Sequence, residues 1–363
     1  MPVISNHPGP EYPAPDFEPS DKHLIELDGS PFTYDPWRGR QFKEGQDFIG
    51  ADDFISLDDA ATEIKTTGKR VILNIGESCT AGWDTRVTLI NKDRVERGER
   101  KILAFFQYAT YSDVLRERVG DDYIVLNAGI PGHTTIHGVR RNQWLLQELK
   151  ERGITPEFVS FYFGNNDCQW ESNVQDRHTM RSRLPLFLDR WRIKRVKPDP
   201  THIRTRITQQ EFGKHFSEMI ADARRFGAKP ILIRPEIPLY WKPGFPLLDD
   251  RFQNMLDAPA ADLVQADIDK AMALWLEHLN KPWSSEKERA LTEASELDVV
   301  VPRFKKAYRE VLENVAEKTN TPMVRFSVPR EENDIRYFVD YCHPFGEAND
   351  FIVDPFIEIM NNY

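Results

Sequence analysis

The chain has 363 residues, 40% of them hydrophobic and 11% aromatic, enough to bury a large core. Its formal net charge of −10 speaks against a general electrostatic pull toward nucleic acid or anionic membrane. Three cysteines without a CxxC pattern suggest neither a disulfide framework nor a cysteine-based zinc site. No apolar run approaches the roughly 20 residues that span a bilayer. The opening MPVISNHPGPEYPAP lacks the basic-then-apolar layout of a secretory leader, so a cytoplasmic protein is the expectation.

Six prolines stand at positions 2, 8, 10, 13, 15 and 19. Proline removes backbone donors and favours extended chain. An N-terminal arm is therefore expected over residues 1–65, irregular and acidic in its second part. From there a rhythm sets in. Short apolar runs recur as RVILNIG (70–76), YIVLNAG (123–129), EFVSFYFG (157–164), KPILIRP (229–235) and PMVRFSV (322–328). They are nearly continuous rather than alternating, as in strands buried on both faces of a parallel sheet. Helical segments lie between them. SDVLRERVG reads as a helix capped at Ser112 and closed by Gly120, and VRRNQWLLQELKERG (139–153) as a second. TQQEFGKHFSEMIADARRFG (208–227) opens on Thr208 and Glu211, a capping-box spacing.

Strands alternating with helices predict an α/β fold of about five parallel strands in three layers, α/β/α, with flavodoxin-like winding. Two insertions interrupt it, at about 168–206 and 237–320, and are expected to cap the site. The second carries the amphipathic stretches ADLVQADIDKAMALWLEHL and FKKAYREVLENVAEK. The body thus runs over 66–363. In open parallel sheets, sites form beyond the carboxyl ends of the strands. Here three strands run straight into Gly76-Glu77-Ser78, Asn127-Ala128-Gly129 and Gly164-Asn165-Asn166-Asp167, and chemistry is expected at that edge.

Near the end of the chain Asp340 and His343 stand three residues apart in FVDYCHPFGEA. A serine nucleophile needs a base for its proton and an anion that fixes the base's tautomer. An Asp-x-x-His pair can supply both from one turn. Negative charge developing on a substrate oxygen needs fixed donors. Gly132 in NAGIPGHTT offers a backbone N–H, and Asn166 a side-chain amide.

With these residues in view, the chain resembles the SGNH (GDSL-like) hydrolases, whose four sequence blocks it matches in order. GESCTAG is similar to the first block, with Gly76 before the nucleophile position Ser78. NAGIPGHTT resembles the second and places Gly132 at the oxyanion glycine. FGNND resembles the third, with Asn166 as a further oxyanion donor and Asp167 structuring the loop. VDYCHP matches the fourth, with Asp340 orienting and His343 acting as base. The likeness covers about 70–235 and 322–361, and neither the arm nor the second insertion. Glu77 departs from the commoner Asp of the first block, at a position with no catalytic role in the family. The resemblance implies a serine esterase that forms an acyl-enzyme on Ser78, with donors from the N–H groups of Ser78 and Gly132 and from Asn166. It implies no cofactor and no metal. Its substrate is expected to be a small O-acyl ester, such as an acetylated polar molecule or carbohydrate.

Alternatives stay open at several positions. The same acyl-enzyme serves an acyltransferase, and the fold can persist in a non-catalytic binding protein. Ser78 also reads as a helix cap, Gly132 after Pro131 as a plain turn, and Asn166-Asp167 as a turn. His133 and His137 are four apart, a metal-binding spacing without a convincing third ligand; His133 is expected at the pocket mouth and His137 on a helix face. Trp170, Trp191 and Trp241 follow strand ends and either wall a cleft or pack the insertions. Ten basic residues between Arg177 and Arg206 either greet an anionic substrate or form a solvated face. Cys79, Cys168 and Cys342 each neighbour a motif residue and are expected to be buried packing groups. Oligomeric state is not legible.

Overall fold

A computed structural model describes residues 32–35, 37–50, 54–83, 110–171, 204–244, 261–299, 301, 303–331 and 333–363. Five parallel strands form its centre: β5 (Arg70–Gly76), β6 (Tyr123–Asn127), β7 (Phe158–Tyr162), β10 (Lys229–Ile233) and β11 (Met323–Val324). Their order across the sheet is β6-β5-β7-β10-β11, all in parallel register. The chain moves from β5 to β6 on one side, then returns past β5 to β7 on the other. That reversal creates a crevice beyond the carboxyl ends of β5 and β7.

Burial on both faces explains the unbroken apolar runs. Val71, Leu73 and Ile75 of β5, with Leu126, Val159, Phe161 and Leu232, enter one apolar cluster. It is closed by α1 (Leu57–Thr67), α4 (Thr135–Glu151) and α5 (Gln209–Arg225). Ile72, Val125, Phe158, Tyr162 and Ile231 point the other way, against α3 (Tyr111–Val119) and α9 (Ala348–Asn362). The period-two alternation of a strand thus feeds two helical layers, and the fold is α/β, as the sequence pattern predicts.

The helix starts follow local chemistry. At α5, Thr208 accepts from the Glu211 N–H and Glu211 accepts in return from that of Thr208, the box expected from the sequence. At α3 the cap is Thr110 rather than Ser112, paired reciprocally with Asp113. Ser112 is instead buried, accepting a hydrogen bond from Asn74 Nδ2 at 3.0 Å. α4 begins at Thr135, four residues before the apolar signal at Val139.

Two regions differ from expectation. From residue 32 the N-terminal part is not irregular: β1 (Phe32–Asp35) and β2 (Gly39–Phe42) form an antiparallel ribbon, and β3 (Phe48–Ile49) and β4 (Phe54–Ile55) add antiparallel strands beyond β6. These strands have at most four residues, too short for a periodic signal. Helix α1 is capped by Ser56 and closed by Gly68. The second insertion holds α6 (Ala261–Leu279), α7 (Ser285–Leu297) and α8 (Lys306–Lys318). Trp275, Leu291, Ala294 and Leu312 join the main core, so these helices are built into the body. The ends of the first insertion pair as β8 (Trp170–Glu171) and β9 (Arg204–Thr205); its interior, with Trp191 and most of the basic run, lies outside the described residues. No described helix is long and apolar enough to cross a membrane. The four-residue α2 (Ser78–Ala81) opens the site itself.

Candidate active site

Strand β5 ends on a turn that only glycine fits. A Cβ on Gly76 would stand 1.9 Å from Thr80 Oγ1 and 2.7 Å from the Tyr162 carbonyl oxygen. Glu77 then donates its N–H to Tyr162 O at 3.3 Å, extending the ladder by one residue, and Ser78 starts α2. Strand, glycine and tight turn together lift the Ser78 hydroxyl to the sheet's carboxyl edge.

The imidazole arrives from the far end of the chain. The Val339 N–H donates to His343 O at 3.0 Å, closing a small loop before α9. Inside it, Asp340 Oδ1 accepts the N–H groups of Cys342 and His343 at 2.8 and 3.0 Å. Asp340 Oδ2 lies 2.6 Å from His343 Nδ1, and His343 Nε2 lies 2.7 Å from Ser78 Oγ. With the neutral ring's proton on Nδ1, Asp340 accepts from the histidine and Ser78 donates to Nε2. Asp340, His343 and Ser78 are 0, 5 and 7% exposed. Burial alone would lower the His343 pKa, but the Asp340 charge, then Cys79, the hydrogen bond to Asp340 and Glu77 together raise it to about 9.

Asn166 projects from the loop after β7. Its backbone N–H and Nδ2 both donate to Glu77 Oε2, at 3.1 and 2.5 Å, and the Asn165 N–H donates to Oε1 at 3.2 Å. Glu77 thus ties the loop after β5 to the loop after β7, across the crevice. Burial pushes its carboxyl up, against the donors from Asn166 and Asn165 and the His343 charge. The amide has two hydrogens, so one Nδ2–H remains beyond the bond to Glu77. Glu77, which stands where the first block commonly has Asp, supports the site through these bonds. Its extra methylene relative to aspartate lengthens its reach.

Gly132 has φ +80°, a left-handed conformation costly for other residues, at the turn after β6. Two guanidinium groups hold this turn: Arg206 donates to Gly132 O at 3.0 Å, and Arg40 to Pro131 O at 3.4 Å. Neither arginine had a motif to reveal it. Asp167 accepts the N–H and hydroxyl of Thr135 at 3.0 and 2.6 Å, joining the loop after β7 to the start of α4. Burial raises its pKa to about 8.

Other expected residues lie elsewhere. His133 is 1% exposed, stacked on His137 and bonded through Nε2 to Arg40 O, so it lies under the β6 turn rather than at a pocket mouth. Packing against the ribbon, which the sequence did not signal, draws it inward. Trp241 is buried against Tyr341, whose ring in turn faces His343, and so buttresses the loop from behind. The Trp170 backbone pairs with Thr205, and its side chain lies outside the described residues. All three cysteines are free and buried, Cys168 within the main core and Cys79 and Cys342 beside the site.

A cavity of about 20 Å³ adjoins the serine, bounded among described residues by Ser78, Trp83, Thr110, Val339, His343 and Asn349, with Cys79 among the others. The Phe304 N–H donates to Asn165 Oδ1 at 3.0 Å, tying the end of the second insertion to the loop that carries Asn166.

Fold and site define an α/β protein whose sheet presents a buried hydroxyl–imidazole–carboxylate chain at its carboxyl edge. No protein-family model matches the chain, and no curated protein matches it by sequence. Among solved structures, an alpha/beta hydrolase enzyme from the metagenome of Lake Arreo, Spain, is 16% identical, with 80% of this chain and 95% of that one covered and a TM-score of 0.39. The lipase/acylhydrolase from Enterococcus faecalis is 15% identical over 81% and 96%, with a TM-score of 0.39. A carbohydrate acetylesterase family member from Sinorhizobium meliloti is 13% identical over 81% and 100%, with a TM-score of 0.40. Likenesses this distant do not bear on the chemistry.

Proposed function

We propose that the chain is a serine ester hydrolase of the SGNH (GDSL-like) type, acting on a short O-acyl ester of a small polar molecule or carbohydrate. The observation that carries this reading is the continuous chain from Asp340 Oδ2 through His343 to Ser78 Oγ, with steps of 2.6 and 2.7 Å. Ser78 Oγ attacks the acyl carbonyl while His343 Nε2 takes its proton. Asp340 holds the tautomer and offsets the imidazolium charge. The tetrahedral oxyanion receives the N–H groups of Ser78 and Gly132 and the Nδ2–H of Asn166 that faces away from Glu77. His343 returns its proton to the leaving alcohol. Water, deprotonated by the same nitrogen, then releases the acid from Ser78. These steps need no metal or organic cofactor.

The small cavity supports a short acyl group. Its volume of about 20 Å³ holds roughly one water-sized group, the scale of an acetyl methyl. A series of p-nitrophenyl esters from acetyl to octanoyl tests this reading, with kcat/KM expected to be greatest for acetyl and lost in Ser78→Ala. A rate rising with chain length would overturn the acyl assignment. Release that depends on an added alcohol or amine would make the protein an acyltransferase. No turnover, together with no labelling by a fluorophosphonate, would leave a binding protein.

A further inference from the structure

Cys79 and Cys342 each adjoin a member of the Ser78–His343 pair, yet the proposed chemistry uses neither. Cys342 Sγ lies 3.6 Å from His343 Nδ1 and 4.0 Å from Nε2. The Cys79 thiol donates to Cys342 O at 3.4 Å, and Asn165 Nδ2 approaches Cys79 Sγ at 3.6 Å. One ligating atom from each of Cys79, Cys342 and His343 lies within 4.8 Å of the others, and all three residues are buried. A tetrahedral d10 ion, with about 2.3 Å to sulfur and 2.0–2.1 Å to nitrogen, sets ligand separations of roughly 3.5–3.8 Å. The Cys342 Sγ–His343 Nε2 separation of 4.0 Å reaches that geometry with a shift of about half an ångström, and the separations involving Cys79, at most 4.8 Å with either ring nitrogen of His343 taken as the ligand, with a shift of about an ångström. Access is through the cavity of about 20 Å³, which both Cys79 and His343 border.

We propose that Cys79, Cys342 and His343 form a site for a thiophilic divalent cation, Zn²⁺ or Cd²⁺, whose occupation switches the esterase off. The ion takes both sulfurs as thiolates and the lone pair of His343 Nε2, with water completing the tetrahedron. Two thiol protons leave for each ion bound, with a third wherever His343 Nε2 is protonated, and no electrons are transferred. The imidazole lone pair that would accept the Ser78 proton is then engaged by the metal, so turnover and ion binding exclude one another. Inhibition rests on the esterase reading; ion binding does not. Two thiolates favour zinc or cadmium over magnesium and calcium, which prefer oxygen ligands.

The experiment is a titration of the chelator-treated full chain with Cd²⁺, followed by sulfur-to-cadmium charge-transfer absorption and by acetyl-ester hydrolysis. One ion per chain is expected, with the absorption and the loss of hydrolysis rising together and EDTA reversing both. Ser78→Ala keeps every ligand and should show the full absorption with no activity. Cys168→Ala, which alters a cysteine of the main core, should respond like the parent. Cys79→Ala and Cys342→Ala should each need at least about tenfold more Cd²⁺ for half-saturation. If these variants fail to fold, Ser78→Ala and Cys168→Ala still decide. Absence of the band in Ser78→Ala, or its loss in Cys168→Ala, overturns the site, as does hydrolysis that persists in the cadmium-bound protein. A band without any hydrolysis in the parent would leave the site standing and remove the esterase reading alone.

Discussion

Among the described residues, two clusters are built from a hydroxyl, a histidine and an aspartate, and they differ in order. In Ser78–His343–Asp340 the imidazole stands in the middle, 2.7 Å from the hydroxyl and 2.6 Å from the carboxylate. In Thr135–His215–Asp167 the hydroxyl stands in the middle, donating to Asp167 at 2.6 Å and lying 2.9 Å from His215 Nδ1. The charge balance inverts with the order. At His343 burial is opposed by the Asp340 charge and hydrogen bond together with Cys79 and Glu77, and the sum raises it to about 9, whereas burial lowers His215 to about 4 against only a partial offset from Glu211. A histidine between acid and hydroxyl can take the hydroxyl's proton with its charge compensated. A hydroxyl already donating to an acid has no proton to give, and the cluster becomes a clamp between β7 and α4. Composition is alike in the two places; sequence of contact decides the chemistry.

The contrast breaks most sharply when the proposed nucleophile is removed. Ser78→Ala is expected to lower kcat on p-nitrophenyl acetate by about 10⁵–10⁶-fold, with the melting curve nearly unchanged. Asp340→Asn should reduce kcat by about 10⁴-fold, through loss of the tautomer and of charge compensation. Asn166→Ala removes one proposed oxyanion donor and should cost about 10²–10³-fold in kcat, with a smaller change in KM. The pH profile gives a smaller, continuous effect. Nε2 accepts a proton only when His343 is neutral, so kcat/KM should rise about tenfold per pH unit up to about 9 and then level. The linked stability has the opposite sign: the raised pKa of His343 stabilises the fold fully below its unfolded value near 6.5, and that contribution is lost as pH rises through about 9. Thr135→Val, in the contrasting cluster, should change kcat by less than about threefold while lowering stability by about 1–3 kcal/mol, read from denaturant unfolding. A large drop in kcat from that variant would erase the distinction between the clusters.

Much of this was legible in the chain because the central strands are buried on both faces. RVILNIG matches β5 residue for residue, and the polar residues that follow β5 and β7 mark the site edge. The Asp340-x-x-His343 spacing was equally clear, since both groups come from one loop. Contacts between residues far apart in the chain leave no local pattern to read. Glu77 reaches Asn166 across 89 positions, and Arg206 reaches Gly132 across 74. His133 offered its spacing to His137 but not the ribbon above it, whose strands are too short to announce themselves. Ser112 looked like a cap until Asn74, across a gap of 38 residues, claimed its hydroxyl.

The Ser78 hydroxyl is the proposed nucleophile of this chain. Treatment of the full chain with a fluorophosphonate, followed by intact mass and peptide mapping, tests it most directly. One adduct per chain on Ser78, absent from Ser78→Ala and slowed in Asp340→Asn, is the predicted result. An unlabelled protein, or an adduct on another residue that persists in Ser78→Ala, would contradict it.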